Sequence, residues 1–296
     1  MKWQIPAKTF FLGEYVAITG GPALLVTTSP CFELTLSPQP GLSGIHPESP
    51  AGKLWKQTDI HTHGLQWRDP YQGLGGLGAS SAQFIGAYLA IKHLQNIPPC
   101  AEELLVKYYK IAWQGNGLRP SGYDLLAQSL GGFVSINQNK GEKESYTWLF
   151  VDVAFILMHT GKKLPTHEHL YTAQLPKSLT PLGDIVKIAK HALATADSEA
   201  IIAMVNAYQQ QLEQLNLVAE HSLEIIRCLQ NDTNILAIKG CGALGADVLL
   251  LLVRPNHLQV MVEKISRLGF TVLSTSEDLY TNRALIENKP TKTLEI

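Results

Sequence analysis

The stretch GLGGLGASSAQF, Gly73 to Phe84, does most to limit what this chain can fold into. Four glycines in six residues make a turn that side-chain-bearing sequences follow poorly. The apolar residues that come next, Phe84, Ile85, Tyr88, Leu89 and Ile91, recur at helical spacing. A glycine turn therefore runs into the N-terminus of a core-packed helix with Ser80 and Ser81 at its mouth. Such a junction offers an anion unpaired backbone N–H groups, close approach and a favourable dipole. The first six residues formally satisfy G-x-G-x-x-G, but dinucleotide binding needs a buried strand before the loop and an acidic residue about 20 positions on. Here the preceding residues include Arg68, Asp69 and Pro70, and the later stretch KHLQNIPP has no carboxylate. No Gly-Lys-Ser/Thr follows, so it is not a Walker loop. By itself the stretch fits either a phosphate cradle or a plain glycine-rich surface loop with serine caps.

Charge narrows the field of partners. The 24 basic and 25 acidic residues nearly cancel, so no overall basic field would draw nucleic acid or an anionic membrane. A local positive pocket for phosphate stays open. The four cysteines are widely spaced with no C-x-x-C pair, which weighs against a disulfide framework or structural zinc and suits a reducing cytosol. Lys8 and Glu14 interrupt the early apolar run, so it makes a poor signal peptide. DVLLLLV is too short to span a bilayer. The expectation is a soluble, cytoplasmic protein without membrane or nucleic-acid partners.

The order of elements predicts an α+β fold of two domains, residues 1–148 and 149–296, within a length that suits two ordinary cores. TFFLGEYVAI and ALLVTT flank the turn signal Gly20-Gly21-Pro22, and CFELTLS alternates like a half-buried strand. Residues 38–71 read as loops with short edge strands. Helices are expected over 81–94 and 102–113, a short one from Tyr123, and a strand over 131–137. A polar hairpin or linker occupies 140–148. A buried strand follows within 149–160, then helices near 180–195, 199–215 and 218–230, the middle one with Ser198 as its cap. The strand ALGADVLLLLV, a helix over 256–268 and the strand FTVLSTS complete the chain.

Two further stretches join the glycine loop: PAKTFFLGEY, Pro6 to Tyr15, and KGCGALGADV, Lys239 to Val248. With GLGGLGASSA between them, they resemble in order the three motifs of the GHMP kinase superfamily of galactose, homoserine, mevalonate and phosphomevalonate kinases. The resemblance covers essentially the whole chain. It implies an N-terminal domain like ribosomal protein S5 and a ferredoxin-like C-terminal domain, with ATP and acceptor meeting between them. It also implies ATP and Mg²⁺ as cofactors. Gly75, Gly76, Gly78, Ala79, Ser80 and Ser81 would wrap the phosphates, Ser81 would help hold the metal, and Gly240, Gly242 and Gly245 would close the site.

Phosphoryl transfer needs an acceptor hydroxyl held in line, a group to take its proton and charge to steady the moving phosphoryl. Asp124, in QGNGLRPSGYDLLAQSLGG, is the candidate base, with an ordinary helix-capping aspartate as the plain alternative. That stretch is similar to the phosphomevalonate kinase pattern, with Ser121 and Gly122 on the acceptor side. Lys8 matches the family lysine that reaches the acceptor, although Ala7 stands where glycine is more usual. A surface lysine is the alternative. Gly13-Glu14-Tyr15, with Glu14 and Tyr15 expected on the acceptor side as substrate-binding residues, replaces the Gly-Glu-His usual in galactokinases and mevalonate kinases, and Asp247 likewise resembles phosphomevalonate kinases. Mevalonate kinases place a metal-binding glutamate 11 residues before the aspartate; Trp113 stands there. Thr160, Lys162, Lys163 and Thr166 form a cationic loop suited to an acceptor bearing phosphate and carboxylate, or simply solvated lysines beside a helix cap.

The pairs His61/His63 and His167/His169 lack Cys or carboxylate partners at ligand spacing and read as surface or satisfied histidines. The resemblance thus implies a kinase acting on phosphomevalonate, as monomer or homodimer. Mevalonate kinase, a non-catalytic nucleotide or metabolite binder acting through a protein partner, and a decarboxylase on the same fold are the alternatives.

Overall fold

The computed structural model describes residues 1–60, 62–113, 115–162, 176, 178–281 and 284–286. Two sheets organise it. In the first, β1 (Lys2–Leu12) lies antiparallel along β2 (Ala23–Ser37). The other edge of β2 is shared by β4 (Gly64–Arg68) and β5 (Phe133–Asn137). The short β3 (Gly41–Ser43) and β6 (Glu142–Tyr146) complete it, in the order β3-β4-β2-β5-β6. The stretches ALLVTT and CFELTLS, expected as separate segments, are one continuous strand. β1 slips register on β2 between Ile5 and Ala7. Pro6, which has no N–H to give the ladder, occupies the slip.

Helices α2 (Ala79–Leu94) and α4 (Tyr123–Leu130) pack on this sheet, and α1 (Pro50–Lys56) and α3 (Ala101–Ala112) pack against them. α1 stands where loops were expected. Ser49 caps it by accepting from Gly52 N at 3.2 Å. Gly52 is needed there, since a Cβ would come within 2.6 Å of both the His46 and Pro47 carbonyl oxygens. Glycine and proline in a seven-residue helix hide its periodicity from the sequence.

The second sheet runs β10-β7-β9-β8, all antiparallel: β7 (Ala154–His159), β8 (Ile235–Cys241), β9 (Val248–Val253) and β10 (Thr271–Thr275). Between β7 and β8 come α5 (Thr180–Thr195), α6 (Ser198–Gln214) and α7 (Glu220–Leu229), and α8 (Leu258–Arg267) precedes β10. Asp197, rather than Ser198, caps α6: its carboxylate accepts from Ala200 N at 3.0 Å, while Ser198 Oγ donates to Asp152. β8 was not foreseen, because Lys239 interrupts its apolar run.

The two sheets share one apolar core. Phe11 and Phe133 from the first meet Phe155 of the second around Trp148 and Phe150 of the crossing segment, with ring centroids 4.7–6.1 Å apart. After β10 the chain returns to the first sheet. Tyr280 N donates to Thr27 O at 2.9 Å, Leu285 N donates to Ser129 O at 2.8 Å, and Ile286 is fully buried. No helix among the described residues is long and apolar enough to cross a membrane.

Candidate active site

β1 carries Lys8 beneath the glycine loop. Its N–H donates to Leu77 O at 3.0 Å, which fastens strand to loop. Its side chain is buried, and its stem lies against Gly78. A Cβ on Gly78 would sit 2.9 and 3.0 Å from Lys8 Cγ and Cε. Past that contact Lys8 Nζ reaches Asp124 Oδ2 at 3.0 Å. The carboxylate remains about a third exposed (34%) while the ammonium is nearly enclosed (8%). Asp124 lies inside the first turn of α4, two residues after the cap. The cap is Gly122, in the left-handed conformation, where a Cβ would collide with the Tyr109 hydroxyl at 2.6 Å. Tyr109 Oη and Gln138 Nε2 each donate to Ser121 O at 2.8 Å, so the turn presenting Asp124 is held from behind.

α2 begins directly after Gly78, which is left-handed and supplies no side-chain cap. Its first-turn N–H groups are therefore left for an external acceptor. Ser80 is exposed, whereas Ser81 is buried. Ser81 Oγ lies 2.6 Å from Gln128 Oε1 and 2.9 Å from Gly78 O. Gln128 Nε2 donates to Pro6 O at 2.8 Å and to Gly78 O at 3.2 Å. This one amide joins the register slip of β1, the glycine loop and the serine. The sequence reading does not single it out, yet a signal is there: Asp124 and Gln128 are four residues apart on one short helix and so share a face.

The third glycine turn follows β8. Gly240 and Gly245 touch back to back; a Cβ on either would fall 2.6–2.7 Å from the other's Cα. The turn's carbonyls face inward. Leu244 O accepts from Ala219 N at 2.8 Å, Gly245 O from Ser222 Oγ at 2.8 Å, and Ala246 O from Thr160 Oγ1. His221 Nε2 lies 2.9 Å from Ala246 O. Gly242 has a φ of +80°, with open space where a Cβ would point. The turn meets the phosphate-loop candidate at Gly76, where a Cβ would strike Val248 Cγ2 at 2.7 Å and Asp247 Cβ at 3.1 Å. All three motifs thus converge.

Other candidates serve this frame. Glu14 is buried and pairs with Lys239 at 2.9 Å, and the Tyr15 hydroxyl accepts from Leu244 N at 2.9 Å. Burial raises the Glu14 carboxyl above its ordinary range against the pull of Lys239. Burial likewise pushes the neighbouring Cys241 thiol up to about 11. Thr160 is buried, its hydroxyl engaged with the third turn, and Lys162 is exposed beside it. Lys163, Thr166, His61, His167 and His169 lie outside the described residues. Trp113 ends α3 and, with Glu48, Lys53, Ile111 and Asn116, walls a recess of about 300 Å³.

No group of three or more His, Cys, Asp or Glu that could hold a metal occurs among the described residues. The donor set still suits Mg²⁺ of the kind that rides on phosphates. With its proton turned to Gln128, Ser81 Oγ keeps lone pairs, Asp124 offers a carboxylate, and Mg²⁺ commonly retains water and phosphate oxygens as its remaining ligands.

No protein-family model and no curated protein matches the sequence. Solved structures do resemble the fold. Streptococcus pneumoniae phosphomevalonate kinase in complex with phosphomevalonate and AMPPNP is similar at TM-score 0.75 and 15% identity, over 93% of this chain and 99% of that one. Methanococcus jannaschii mevalonate kinase is similar at 0.74 and 15%, over 95% and 98%. Lactococcus lactis galactokinase complexed with galactose is similar at 0.72 and 13%, over 96% and 93%. Sequence motifs and these likenesses agree: the chain has the fold of the GHMP kinases.

Proposed function

We propose that the chain is an ATP-dependent kinase that transfers the γ-phosphoryl group of ATP to a small hydroxyl-bearing acid, with phosphomevalonate the acceptor that best fits its motifs. The observation that carries this reading is the contact of Lys8 with both Gly78 and Asp124. It puts a carboxylate and an ammonium beside the uncapped start of α2, where phosphates would bind.

The roles follow from position. The first-turn amides of α2 would hold the triphosphate tail, and glycine at 76 and 78 lets backbone approach without side chains intervening. Asp124 would take the proton of the acceptor hydroxyl as it attacks. Lys8, already beside that carboxylate, would steady charge on the transferring group. Ser81, oriented by Gln128, and Asp124 would hold Mg²⁺, which when bound offsets phosphate charge. The exposed Lys162 would favour an acceptor carrying anionic groups.

The test is ATP consumption by purified protein with phosphomevalonate, mevalonate, homoserine and galactose in parallel. Turnover with phosphomevalonate is expected to exceed the others. Absence of turnover with both mevalonate compounds overturns the acceptor assignment. Asp124→Asn is expected to lower kcat by about 10²–10⁴-fold while the affinity for metal-free AMPPNP, set by the first-turn amides of α2, holds within a few-fold. Unchanged kcat would remove Asp124 from the role of base.

A further inference from the structure

The most deeply buried charges in the described molecule lie outside the Lys8–Asp124 pair. Lys239 is 0% and Glu14 4% exposed at the side chain, and their 2.9 Å contact joins the segment just after β1 to the last residues of strand β8. Lys239 Nζ also lies 3.6 Å from Cys241 Sγ and 5.5 Å from the centroid of the Tyr208 ring. Burying such a pair is costly, and apolar residues of similar size would often stabilise a core as well or better. Stability alone is a poor account of it.

Its neighbours suggest a better one. Glu14 follows the strand that carries Lys8, and Lys239 immediately precedes Gly240, which abuts Gly245. Tyr15, next to Glu14, receives the Leu244 amide. Gly240 N donates to Gln209 Oε1 at 2.9 Å, which fixes the same strand end from the helix side. A carboxylate and an ammonium, each of fixed length, therefore set where the third glycine turn stands relative to the first motif.

We infer that Glu14 and Lys239 are positioning residues for the nucleotide, holding the third glycine turn in register with the loop at Gly76–Gly78 without touching the acceptor. This rests on the nucleotide-binding reading above. Loss of the pair should weaken nucleotide binding selectively, since Lys8 and Asp124 are held by separate contacts to Leu77 and to the Gly122 turn.

The experiment compares wild type, E14D, K239M and the double variant E14Q/K239M, each shown to be folded by near-ultraviolet circular dichroism. AMPPNP affinity is measured by calorimetry, and acceptor KM and kcat by coupled assay. K239M is expected to weaken AMPPNP at least tenfold and leave acceptor KM within twofold. The double variant, which leaves no unpaired buried charge, should regain most of the lost melting temperature but not the nucleotide affinity. Should K239M fail to fold, E14D keeps both charges and shortens the reach by one methylene; a several-fold AMPPNP loss at near-normal melting temperature is then expected. Affinity that tracks melting temperature across the series, or stays unchanged, overturns the inference. If wild type binds no AMPPNP, the nucleotide reading itself fails, a result separable from failure of the pair.

Discussion

A methyl group at position 78 would press on the Lys8 stem at 2.9 and 3.0 Å and on Gln128 Nε2 at 3.1 Å, from a backbone with φ of +78°. Gly78→Ala therefore combines left-handed strain of about 1–2 kcal/mol with displacement of the ammonium that faces Asp124. A several-fold fall in kcat with a modest fall in denaturation midpoint is the expected result of steady-state kinetics and urea unfolding. A loss of stability with full activity would show that Lys8 does not need this seat. At this scale the sequence is partly legible. Lys8, Ser81 and Asp124 stand out because polar residues sit beside glycine turns. Gln128 and Lys239 do not, because their meaning lies in partners 122 and 225 residues away along the chain. The family resemblance is what places Thr160 toward an acceptor, and the local sequence cannot tell that its hydroxyl is engaged by a carbonyl 86 residues on.

Helices are plain in the sequence where their periodicity is long, as in α2, α5 and α6. The elements that escape it share a cause: α1 is seven residues containing proline and glycine, and β8 hides a buried lysine that Glu14 neutralises. Elements are also joined by polar contacts at their ends. Asp232, just before β8, accepts from Lys264 of α8 at 2.7 Å and from Asn234 N at 2.9 Å. The hydrogen bond from Lys264, followed by that from Asn234, lowers the Asp232 carboxyl below its ordinary 3.8. A depressed carboxylate adds stability above the unfolded value and loses it as pH falls through the folded one. Asp232→Asn should therefore destabilise at pH 7 by about 0.5–1 kcal/mol, a figure kept small by the solvent around Lys264. The gap between variant and wild type should close below about pH 3.8. Urea midpoints across pH 3–7 check this; a gap independent of pH would assign the effect to the amide rather than the charge.

The alternation of strands and helices is enough to predict two domains of mixed character. The return of the chain after β10 is invisible in it, since an irregular segment carries no period. Yet it supplies β2 with the Thr27–Tyr280 bond, α4 with the Ser129–Leu285 bond, and the core with the buried Ile286. Truncation after Ser276 is expected to cost about 1.5–3 kcal/mol from the isoleucine alone, read as a lowered urea midpoint. An unchanged midpoint would mean that the returning segment only rests on the surface. The knot of rings around Trp148 has a different consequence. Five aromatic side chains fill the place where the peptide passes from one half to the other, so that passage acts as a weld. Bending there would drag flat rings across one another and open voids in a close-packed core. Adaptation to an incoming ligand is thereby confined to the turns that the welded frame supports.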